Sequence, residues 1–97
     1  RWKITVPAAG RYGLVIRYCA PEAASREVQV DDRPPVVQTF PPTGGFSSAT
    51  DDWRYLLLHD GANPVPLELT AGEHVITMTN VDGKGLNLDL ISLLPLE

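Results

Sequence analysis

Apolar and polar residues alternate with period two along most of this chain, and the 3.6-residue period of a helix recurs nowhere. Trp2, Ile4 and Val6 share one face of a first strand, which Pro7 stops before the turn Ala8-Ala9-Gly10. Tyr12, Leu14, Ile16 and Tyr18 share one face of a second, with Gly13, Val15, Arg17 and Cys19 on the other. Val28 and Val30 mark a third. It ends at Asp31-Asp32-Arg33-Pro34-Pro35, a tight turn, because Asp supplies a side-chain turn bond and Pro cannot donate to a ladder. Val36 to Phe40 reads as a returning edge strand, and Trp53 to Leu58 resumes the pattern after a long irregular segment.

His59 to Pro64 reads as a turn, after which Val65, Leu67 and Leu69 share a face up to the turn at Ala71-Gly72. Ile76 and Met78 continue on the far side of that turn, and Asn80-Val81-Asp82-Gly83-Lys84-Gly85 closes another, with glycines supplying positive φ. The last strand runs from about Asn87 to Leu94. It opens with Asn87 and Asp89, polar side chains at the start of a core strand that need partners, either within the fold or on a ligand at the sheet's rim. About eight short strands separated by Gly- and Pro-rich turns predict an all-β fold, an antiparallel β-sandwich. The one helical turn the pattern allows lies in Pro21 to Ser25.

A chain of 97 residues holds a single domain with a thin core. A net charge of −4 with no basic cluster argues against a nucleic-acid partner, and no apolar run approaches the roughly 20 residues of a membrane helix. Cys19 is the one cysteine, so no disulfide forms within these residues, and its place at the end of an apolar strand predicts a buried free thiol. Arg1-Trp2 enters a strand pattern at once. The expectation is a piece of a larger multi-domain protein with something upstream.

Six short motifs then occur in order. Val6-Pro7-Ala8-Ala9-Gly10-Arg11-Tyr12, Ile16-Arg17-Tyr18, Val28-Gln29-Val30-Asp31-Asp32, Thr43-Gly44-Gly45-Phe46, Leu69-Thr70-Ala71-Gly72-Glu73-His74 and Asn87-Leu88-Asp89 together resemble carbohydrate-binding modules of families 6 and 35. The resemblance implies a galactose-binding-like jelly roll that lacks its usual N-terminal strand. It implies non-catalytic sugar binding by an accessory domain that is extracellular or periplasmic and targets an attached catalytic domain to a polysaccharide or glycan.

The resemblance also assigns residues. Asn87 corresponds to a sugar-contacting amide, a group that donates and accepts at once; the alternative is that it caps the turn before it. Phe46 stands where the family places a loop Trp that stacks on a pyranose ring, and Trp53 either replaces that ring or packs inward. Asp51 and Asp52 could accept from sugar hydroxyls. Trp2 and Tyr55 are candidates for an opposing wall, with Trp2 as cover for a sheet end the other reading. Asp89 corresponds to an acid that helps hold a structural calcium in many members, but one carboxylate cannot supply the six to eight oxygens calcium takes. A hydrogen-bonded rim carboxylate is the preferred reading of Asp89.

Catalysis finds little support. His59 and His74 have neither the spacing nor the companions of a zinc site, and no nucleophile elbow occurs. Asp51, Asp52 and Asp89 are the only carboxylates to nominate for glycosidic cleavage. The competing non-catalytic reading is a structural sandwich that packs against a catalytic domain, which an exposed apolar sheet face would favour.

Overall fold

The computed structural model describes residues 1–46 and 52–96. Ten strands follow one another: β1 (Trp2–Val6), β2 (Gly10–Cys19), β3 (Ala24–Val30), β4 (Val36–Phe40), β5 (Arg54–Leu57), β6 (His59–Asp60), β7 (Asn63–Pro64), β8 (Leu67–Leu69), β9 (Gly72–Asn80) and β10 (Asn87–Leu96). One sheet has the order β1-β9-β3-β4; the other has the order β10-β2-β5, with β8 also pairing with β2. Every pairing is antiparallel. The molecule is the β-sandwich that the alternation predicts, with ten strands instead of about eight.

The departures have local causes. His59 to Pro64, read as a turn, is a miniature hairpin in which β6 pairs with β7 across Gly61, whose φ of 61° suits a two-residue loop. The strand expected from Val65 begins only at Leu67, because Pro64 and Pro66 remove the donors on either side. Val65 N–H instead donates to the Leu58 carbonyl. No helical turn forms between Pro21 and Ser25. There the inward alternation of β3 extends back to Ala24, which is buried opposite Phe40.

The core lies between the sheets. Tyr12, Leu14, Ile16 and Tyr18 of β2 meet Val28, Val30, Phe40 and Ile76 from the other sheet. Phe40 and Tyr18 pack edge to face at 5.0 Å, a geometry worth about 0.5–1.5 kcal/mol beyond the area it buries. Cys19 is the buried free thiol its position predicts.

The ladder between β10 and β2 is broken at one place. Asn87 pairs with Cys19 and Leu88 with Tyr18, but the next pair is Leu90 with Arg17, so Asp89 is the extra residue of a β-bulge. The bulge resets the phase of β10. Leu88, Ile91 and Leu93 pack against the core while Leu90 and Leu94 are exposed.

Candidate functional site

The end of the sandwich where β2 stops and β10 starts gathers most of the candidate residues. Two loops are pinned there. The segment after β4 is fastened to the end of β2: the Tyr18 hydroxyl donates to the Pro41 carbonyl at 2.7 Å, Thr43 N–H donates to the Ala20 carbonyl at 2.8 Å, and Ala20 N–H donates to Thr43 Oγ1 at 3.0 Å. Gly44 then takes a φ of 109°, which a side chain would strain. At Gly45 a Cβ would lie 2.8 Å from Asp52 Oδ2, so the glycine lets the Asp52 carboxylate lie against the loop backbone.

The loop between β9 and β10 is held by its own polar groups. Asn80 Oδ1 accepts from the N–H groups of Asp82 and Gly83, at 3.2 and 2.8 Å. The Asp82 carboxylate accepts from Lys84 N–H and Ser25 N–H, and Arg26 donates to the Lys84 carbonyl at 2.8 Å. Those backbone bonds, that of Lys84 foremost, hold the Asp82 carboxyl below the usual carboxylate range. Gly85 is thereby presented to Phe46, whose Cζ would lie 2.8 Å from a Cβ at that glycine. The Phe46 ring rests on the loop that leads into Asn87 and remains substantially exposed.

Asn87 lies opposite Cys19 in the ladder, and its side chain favours the thiolate of that cysteine. Burial pushes that thiol up, and the nearby Asp52 carboxylate pushes it further. The amide that accepts from the N–H groups of the preceding turn is that of Asn80. Asp52 and Asn87 thus both act on the titration of one buried thiol, in opposite directions. Asp51 lies outside the described residues.

Arg17 ties the other half of the cluster. It projects from the outward face of β2, where its guanidinium carbon sits 5.1 Å from the Trp53 ring centroid and 5.7 Å from that of Tyr55. Its Nη1 donates to Asp89 Oδ2 at 2.5 Å. Trp53 thus lies beside a cation on the sheet's outer face instead of in the core, whereas Trp2 belongs to the other sheet, paired with Ile76. Among the described residues no group of three or more His, Cys, Asp or Glu side chains could hold a metal ion, and one of the two Asp89 oxygens already receives a guanidinium N–H. Asp89 is thus hydrogen-bonded to Arg17 at the rim, and the described residues around it bring no second carboxylate ligand to it.

The sequence reading missed Arg17, and Tyr55 in this setting. The signal was present: Arg17 is the one charged side chain on the outward row Gly13, Val15, Arg17, Cys19.

No protein-family profile and no curated protein sequence matches the chain. Its fold does have counterparts among solved structures. A family 35 carbohydrate-binding module from Clostridium thermocellum superposes with a TM-score of 0.70 at 20% identity, over 94% of this chain and 67% of that one. The chain has the fold of a family 35 carbohydrate-binding module. The same fold occurs within larger proteins: a GH26-CBM35 β-(1,4)-mannanase from Podospora anserina matches at TM-score 0.70 and 23% identity, over 99% of this chain and 19% of that enzyme. A cycloalternan-forming enzyme from Listeria monocytogenes, in complex with a pentasaccharide substrate, matches at TM-score 0.70 and 22% identity, over 94% of this chain and 8% of its own length. No helix among the described residues is long and apolar enough to cross a membrane.

Proposed function

We propose that this chain is a non-catalytic carbohydrate-binding module that holds an attached carbohydrate-active enzyme near a polysaccharide or glycan, outside the cytoplasm. The observation that carries this reading is the assembly of Phe46, Trp53, Asp52 and Asn87 at one end of a family 35-type sandwich. Sugars offer an apolar C–H face and a polar edge. The exposed Phe46 ring and the half-buried Trp53 ring suit the first, while the amide of Asn87 and the carboxylate of Asp52 suit the hydroxyls of the second. Tethering through such a site raises the local concentration of substrate around the partner domain.

Affinity gels cast with neutral and acidic polysaccharides test the reading. The chain is retarded by at least one polysaccharide, and retardation is lost in Asn87→Ala and in Phe46→Ala or Trp53→Ala. Free migration in every gel would overturn it.

A second reading has an observation of its own. Leu90 and Leu94 are exposed on the outer face of the β10-β2-β5 sheet, in register with Arg17 and Gly13. Such a face favours an accessory sandwich that packs against a catalytic domain without binding sugar. Unimpeded migration in all gels, together with loss of binding to that domain in Leu90→Ser/Leu94→Ser, would decide for it.

A further inference from the structure

We propose that Arg17 is the resident cation of this site: it neutralises Asp89 and positions the Trp53 ring, so that the site holds its ligand without a divalent metal ion. The inference rests on the glycan-binding reading for its ligand arm alone; its metal and spectroscopic arms stand without it.

Three features converge on Arg17. The bulge in β10 makes Asp89 an extra residue at the level of Arg17, and the two side chains meet at 2.5 Å. The same guanidinium lies near the faces of both Trp53 and Tyr55, the geometry of a cation held by ring quadrupoles. Asp89 and Asp52 on one side and Arg17 and Arg54 on the other bring charges of both signs to this end of the sheet.

A calcium ion would have to share Asp89 with the guanidinium and gather further oxygens, and the described residues offer no such set. Arginine does in one side chain what the ion would do in part. It supplies fixed positive charge to a carboxylate, and it also offers a flat surface against which an indole can lie, which a metal ion cannot. Partly exposed ion pairs of this kind add little to stability, so the pair is better explained by what it positions than by what it stabilises.

The test compares the wild-type chain with Arg17→Gln, Arg17→Lys and Asp89→Asn. Melting of the wild type is expected to be the same in millimolar calcium chloride and in EGTA; a rise of several degrees with calcium overturns the proposal. In a Trp2→Phe background, Trp53 emission is expected to shift in Arg17→Gln, and an unchanged spectrum overturns the positioning role. On an affinity gel, retention by the retarding polysaccharide is expected to fall about tenfold in Arg17→Gln, to recover in part in Arg17→Lys, and to be indifferent to EGTA. Retention that needs calcium overturns the proposal. If no polysaccharide retards the wild type, the glycan-binding reading falls, and the melting and emission results still decide the role of Arg17.

Discussion

The two ends of the sandwich each carry an acid paired with a base, and they use it in opposite ways. At the end away from the site, Asp31 closes β3 with a φ of 52° and accepts from Val75 N–H at 2.8 Å and from His74 Nδ1–H at 2.6 Å. His74 is buried, and its Nε2–H donates to the Thr70 carbonyl at 2.7 Å. Both ring nitrogens face oxygen acceptors, which only the imidazolium satisfies. Arg33 adds a bond to the Glu68 carbonyl, so the turns after β3 and β8 are clasped together. At the site end, the Arg17–Asp89 pair stays partly exposed, with Trp53 and Tyr55 beside it. With its base buried, the first pair serves the fold; with its base half-exposed between two rings, the second leaves aromatic surface available to a partner.

The contrast breaks most sharply at the clasp. His74→Ala leaves Asp31 without its imidazolium partner and the Thr70 carbonyl without its donor, which should cost about 2–3 kcal/mol, seen as a lower urea midpoint with sugar retention unchanged. At the other end, Phe46→Ala and Trp53→Ala should do the reverse. Retention on the polysaccharide gel should fall about tenfold or more, while the free energy of urea unfolding changes by less than about 1 kcal/mol. A large loss of stability in Trp53→Ala would show that the ring serves the core.

The pH dependence separates the ends further. The bond to Asp31, followed by that to Thr70, raises the pKa of His74, so its contribution is full below its ordinary value of 6.5 and is lost as pH rises through the raised value. Burial opposes ionisation of Asp31, yet the bonds from His74 and Val75 outweigh it and lower the pKa from 3.8. That contribution is present above 3.8 and is lost as pH falls through the lowered value. Stability measured by urea unfolding should therefore be highest in mildly acid solution and fall toward alkaline pH, by no more than about 1.4 kcal/mol per pH unit, with a flatter curve in His74→Ala. The smallest effect belongs to Gly85→Ala. Its methyl group would meet Phe46, so the ring must shift and retention should drop about threefold with the midpoint nearly unchanged.

The fold was legible where one strand had one job. Tyr12, Leu14, Ile16 and Tyr18 alternate without interruption because β2 lies at the centre of its sheet, and their inward face follows from period two alone. Two-residue strands such as β6 and β7 carry no period, so sequence reasoning sees only a turn. The bulge was hidden for another reason: Leu88, Leu90 and Ile91 are all apolar, and nothing in their identity says which of them faces outward. Asp31 was read as a local turn former, whereas its carboxylate reaches across to β9. Phe46, Trp53, Asp52 and Asn87 are candidates through motif resemblance rather than through physics, and Arg17 escapes sequence reasoning because its partner Asp89 is 72 residues away.

The bulge also makes Asp89 a removable residue. Without it, Asn87, Leu88, Leu90, Ile91, Ser92 and Leu93 would alternate outward and inward in unbroken order, each on the face it already occupies. The terminal strand is thus a complete core element with one carboxylate spliced into it. Deleting that single position should leave a folded sandwich stripped of Arg17's counter-ion, so the rim chemistry can diversify without asking the interior to repack.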